Sequence, residues 1–144
     1  MNRIPLFLAV AGVVAIGAAY GLHMRFNPGR NLASGMASGE ALVAVTMPTL
    51  TDTAERGEAL FNDNCAGCHG ANAAGRAGKA PPLVHRIYEP NHHGDGAFFR
   101  AAQSGVRQHH WPFGDMPPIG GVDDSEIAMI VTYVRELQRA NGIN

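Results

Sequence analysis

The two cysteines of the chain stand close together with a histidine directly after them, in Cys65-Ala66-Gly67-Cys68-His69. Two thiols and an imidazole at that spacing admit four kinds of chemistry. A thioredoxin-like redox pair sits between a strand and a helix inside a βαβ pattern, whereas this pair follows a helical stretch and strand signals are weak throughout. A structural zinc site needs four ligands and typically a second cysteine pair, and the chain has no further cysteine. A disulfide across so short a loop would be strained and leaves the histidine unexplained. The fourth chemistry uses all three residues in this order: both thiols add to the vinyl groups of a heme, and the imidazole ligates its iron. The motif therefore predicts one covalent heme c on Cys65 and Cys68, with His69 as an axial ligand.

A six-coordinate heme needs a second axial ligand, commonly Met or His. Met116, in Gly114-Asp115-Met116-Pro117-Pro118, is the best candidate, because two prolines behind it stiffen the loop and hold the sulfur in place at low entropic cost. Met129 lies on a helical face and reads as core filler, while Met24, Met36 and Met47 precede the domain. The rival ligands are His85, His92, His93, His109 and His110. Two histidine pairs, His92-His93 and His109-His110, have Asp95 and Asp115 nearby in sequence. One reading makes them a polar loop insert that bonds propionates and solvent. The other makes them a second metal site for copper or zinc, both of which imidazole suits. Trp111, Arg86, Arg100 and Arg107 are the candidate propionate partners, since a carboxylate taken out of water needs such donors.

The elements that must position these residues are helical. Thr51 to Asn64 reads as a helix, with Thr51 or Asp52 as its cap and Glu55 in the first turn. Asp124 to Ala140 reads as a second, with a capping box between Asp123 and Glu126 and an end at Asn141-Gly142. Ile127, Ile130, Val131, Val134 and Leu137 follow the spacing of one buried face of that helix. Gly94 to Ser104 is a shorter candidate with Asp95 as cap. The fold class that follows is all-α, with three to five helices around one heme.

Ahead of these helices, Ile4 to Leu22 is a run of 19 residues without a charge. As a helix it would be about 28 Å long, near the thickness of a bilayer core. A cleaved signal peptide is the rival reading, but its apolar core is shorter, about 7–15 residues. Residues 1–26 are accordingly expected to form a transmembrane anchor, residues 27–50 a linker and residues 51–144 the heme domain. Within the linker, the apolar run Ala41 to Met47 either lies extended against the domain or is plain tether. The 11 basic and 12 acidic residues nearly cancel, and no basic stripe argues for nucleic acid.

From about Thr51 onward the chain resembles the class I c-type cytochromes, the monoheme cytochrome c family. The resemblance rests on Gly57, Phe61, Cys65, Cys68 and His69, then Ala80-Pro81-Pro82-Leu83, Met116-Pro117-Pro118 and Tyr133. It implies a cytochrome c fold in which the first helix crosses the last at Gly57 and Tyr133, and in which the Pro81 carbonyl accepts the Nδ1–H of His69. It also implies one-electron transfer between redox protein partners rather than catalysis. Heme attachment outside the cytoplasm would place Met1 on the cytoplasmic side and the domain on the periplasmic face of the inner membrane. Lys79 is the only lysine, so a lysine-ringed docking face of the mitochondrial kind is excluded. The alternatives left open are a five-coordinate heme enzyme or sensor, and a metal-handling protein that uses the histidine pairs.

Overall fold

The computed structural model describes residues 39–144; the expected membrane anchor lies outside the described residues. Among these residues four α-helices run in the order α1 (Asp52–Asn64), α2 (Ala66–His69), α3 (Asp95–Ser104) and α4 (Asp124–Ala140), with 3-10 turns at Ala71–Ala73 and Arg86–Tyr88. The described residues hold two isolated β-bridges, Arg76 with Ala80 and Val106 with Met116, and no longer strand. No helix among them is long and apolar enough to cross a membrane.

The helix ends follow from local hydrogen bonding. At α1 the cap is Thr51, whose hydroxyl accepts from the Ala54 N–H at 3.3 Å, while Asp52 and Glu55 place negative charge in the first turn. The same hydroxyl donates to Glu136 on α4 at 2.7 Å, so the start of the first helix is tied to the last. At α4 the capping box closes in both directions: the Glu126 N–H donates to Asp123 at 3.0 Å and the Asp123 N–H donates to Glu126 at 2.9 Å. Beyond its far end, Asn141 donates to the Leu137 carbonyl at 2.8 Å and clasps both backbone groups of Thr46, at 2.8 and 2.9 Å. With Leu42 and Val43 donating to the Ala74 carbonyl, the run from Ala41 to Met47 lies extended against the helical body, and Val45 packs on the core.

The end of α3 corrects one expectation. Its cap residue is Gly94, with no side-chain bond, and Asp95 stands inside the first turn. The Asp95 carboxylate is engaged by Arg135 Nε at 2.8 Å, a bond charged on both sides, and from inside the first turn it does not serve as the cap.

The core forms where α1 crosses α4. Phe61 and Tyr133 are fully buried, with ring centroids 5.5 Å apart and tilted by 54°. The crossing is close because Gly57 has no side chain: a Cβ there would lie 2.0 Å from the Met129 carbonyl oxygen and 3.0 Å from Tyr133 Cβ. All five apolar residues of the expected α4 face are buried, but so are two polar ones, Arg135 and Gln138. Arg135 donates to the carbonyls of Tyr88 at 2.7 Å and His93 at 2.6 Å, and to Gln138 Oε1 at 2.6 Å. Gln138 in turn donates to the Leu83 carbonyl at 2.8 Å. In the irregular segment from Leu83 to His93, the carbonyls of Leu83, Tyr88 and His93 accept from no backbone N–H among the described residues, and buried carbonyls must be satisfied. This polar pair on α4 supplies the donors.

Candidate metal centre

Attachment chemistry begins where α1 ends. Cys65 is the hinge between α1 and α2, and the single turn of α2 turns Cys68 and His69 toward one wall of a cleft of about 720 Å³. That volume lies within the roughly 300–1,000 Å³ of ordinary cofactor sites. Apolar side chains dominate the lining, among them Phe61, Leu83, Phe98, Ile119, Ile130 and Val131. Cys65 is half-buried and Cys68 exposed, and both reach the cleft. Burial pushes the Cys65 thiol up to about 11, with the neighbouring Cys68 adding to the effect.

His69 is buried, and its Nδ1 lies 2.9 Å from the Pro81 carbonyl oxygen. A carbonyl can only accept, so Nδ1 carries the proton and Nε2 keeps a free lone pair. Burial lowers the pKa of this imidazole and the Pro81 bond partly opposes the shift. The net effect keeps the ring neutral, the state a metal ligand needs.

Met116 lines the same cleft from a loop that is pinned in both directions. Its N–H donates to the Val106 carbonyl and its carbonyl accepts from the Val106 N–H, both at 2.9 Å. Three residues on, the Ile119 N–H donates to the Ala102 carbonyl of α3 at 2.7 Å. The residue that permits this approach is Gly105, which sequence reasoning missed. Its φ is +75°, and a Cβ would lie 2.5 Å from the Met116 carbonyl oxygen. Gly105→Ala is therefore expected to speed amide hydrogen exchange at Val106 and Met116 by about tenfold or more. Gly114→Ala serves as the control, since Gly114 shares the left-handed φ but has no neighbour within 4 Å of an added Cβ. Equal exchange rates in both variants would mean that contact with Met116 is not what requires the glycine.

Of the candidate propionate partners, Trp111, Arg100 and Arg107 line the cleft, while Arg86, in the 3-10 turn, is not among its lining residues. Trp111 Nε1 is buried with no hydrogen-bond partner. An orphaned donor beside an apolar cleft fits a group that brings its own carboxylates. The rings of His85 and Trp111 meet edge to face at 5.1 Å, which fixes the indole. The cleft, the paired thiols, the neutral imidazole and the unmatched indole N–H together fit heme c.

The histidine pairs, distant in sequence, come together at the rim of this cleft. Ring centroids of His92 and His110 are 5.5 Å apart, and those of His93 and His110 are 5.2 Å apart. The two acidic residues near them in sequence are engaged elsewhere: Asp95 with Arg135, and Asp115 as acceptor of the Gln108 N–H at 2.8 Å.

Neither curated proteins nor solved structures match the chain. A family model described as Cytochrome c matches residues 54–138, more than half of the chain. That span contains the attachment motif, both walls of the cleft and the α1–α4 crossing. The chain thus belongs to the cytochrome c family, whose covalent heme c is the group that the Cys65-x-x-Cys68-His69 motif and the apolar cleft beside it are built to hold.

Proposed function

We propose that this cytochrome c domain is a one-electron carrier with His69 and Met116 as axial ligands, held at the periplasmic face of the inner membrane by the N-terminal apolar run. Heme c supplies a one-electron couple when bound. The chain's own residues hold the geometry constant around it. Pro81 fixes the tautomer and orientation of His69, and a partner carbonyl of this kind raises the basicity of the ligating nitrogen. Val106, Gly105 and the two prolines fix Met116, so a change of oxidation state needs no rearrangement of the loop.

The observation that carries this reading is that His69 and Met116 line one apolar cleft, each anchored by backbone hydrogen bonds. With both residues on the iron the site would be closed and need little reorganisation, as a carrier requires; an enzyme needs an open iron position. The family's extracytoplasmic heme attachment supports the periplasmic orientation, and the length of the run Ile4 to Leu22 supports the anchor. Donor and acceptor are redox proteins that dock without a ring of lysines.

Optical spectroscopy of the heme-loaded protein tests the ligation. The expected ferric spectrum contains the weak far-red band of iron–thioether ligation, and the ferrous protein resists carbon monoxide. Ready binding of carbon monoxide, with no far-red band, would replace the carrier by a five-coordinate enzyme or sensor.

A further inference from the structure

The heme does not account for the histidines gathered at the rim of the cleft. One ring nitrogen from each of His92, His93 and His110 lies within 4.8 Å of the others. His109 is adjacent, its ring centroid 4.2 Å from that of His110 and 6.0 Å from that of His93. A tetrahedral ion with metal–nitrogen distances near 2.0–2.1 Å holds its ligand nitrogens about 3.3 Å apart. His92 and His110 are exposed, so small side-chain rotations close the remaining gap.

Other contacts prepare the rings for this role. The Nδ1–H of His93 donates to the Ile87 carbonyl, which leaves Nε2 with its lone pair free. His109 is held in the same way, Nδ1 donating to the Arg107 carbonyl at 2.8 Å. A backbone carbonyl on the far nitrogen is the usual support of a metal-binding histidine. The backbone of His93 is itself fixed by buried Arg135, which donates to its carbonyl at 2.6 Å. Among the described residues, the rings of His92 and His110 make no hydrogen bond within the protein. Neutral imidazoles brought together present several lone pairs to one small volume, and a shared cation satisfies them all. The group contains no carboxylate and no thiolate. An all-imidazole set favours zinc or copper over magnesium or calcium.

We propose that His92, His93 and His110 bind one divalent first-row ion, zinc or copper, beside the heme cleft, with His109 next to the remaining coordination position. Such an ion ties the segment ahead of α3 to the loop that carries His109 and His110 and leads into Met116. This second site does not require Met116 to ligate the heme iron; it requires only that His92, His93 and His110 do not.

The test uses the full-length, heme-loaded protein after chelation, titrated with zinc chloride or with copper sulfate alone and followed by calorimetry and metal analysis after dialysis. The expected result is uptake of one ion per chain in addition to heme iron. His92→Ala and His110→Ala should each weaken it by at least about tenfold, and the triple variant that also carries His93→Ala should lose it. His23→Ala, at a histidine outside the described residues, should leave uptake unchanged. With copper, nitrogen couplings in the electron paramagnetic resonance spectrum should be present in the parent and absent from the triple variant. Failure of both metals to bind one to one, or equal binding by parent and triple variant, overturns the site. So does a triple variant whose heme spectrum changes while its metal uptake does not, since the imidazoles would then serve the heme.

Discussion

Met116→Ala is expected to lower the reduction potential on the order of 0.1 V or more, against a range of about 0.8 V that axial ligands span across heme proteins. A thioether is a soft, neutral ligand that favours ferrous iron. Its removal should also admit carbon monoxide, while Cys65 and Cys68 still retain the heme. The Met116 backbone takes part in two hydrogen bonds with Val106 that alanine can keep, so the loop is expected to stay in place. Potentiometric titration with carbon monoxide binding as a second readout checks the prediction. Met129→Ala is the matching control, because Met129 sits on α4 away from the cleft lining and its loss should alter packing alone. An unchanged potential and no carbon monoxide binding in Met116→Ala would show that another residue ligates the iron, His109 and His110 being the nearest rivals on the same loop.

Gly57→Ala should have the largest effect on stability. The added Cβ would meet the Met129 carbonyl oxygen at 2.0 Å and its carbonyl carbon at 2.6 Å. These are backbone atoms inside a helix and cannot rotate aside. Relief requires α1 and α4 to part, which also separates Phe61 from Tyr133. Overpacking a core costs about 1–3 kcal/mol where side chains can adjust. With rigid backbone on both sides, a loss of about 3 kcal/mol or more is expected, a large share of the roughly 5–15 kcal/mol that holds a small domain. Gly67→Ala is the comparison, since nothing lies within 4 Å of a Cβ there. Urea denaturation of the heme-loaded proteins should give a much lower midpoint for Gly57→Ala and a near-parental one for Gly67→Ala. Equal midpoints would mean that the crossing tolerates a side chain after all.

What the sequence determined by itself was local. Attachment of heme needs only five consecutive residues, so Cys65 to His69 announces it without any knowledge of the fold. The span of α4 and its capping box were legible because a cap is written three residues apart, in Asp123 and Glu126. The crossing residues Gly57 and Tyr133 were legible only through the family resemblance, since nothing in either helix alone says which partner it meets. Tertiary structure decided the rest. Asp95 looked like a cap until a guanidinium 40 positions away claimed its carboxylate. Arg135 and Gln138 sit on a helix where polarity predicts solvent, yet they are buried because an irregular segment elsewhere needs donors. Gly105 matters through a carbonyl that returns from the Met116 loop, and no spacing rule encodes that return. The two histidine pairs meet for the same reason: a hydrogen bond in a helix has a fixed sequence separation, while the approach of two loops is set by the path of the chain between them.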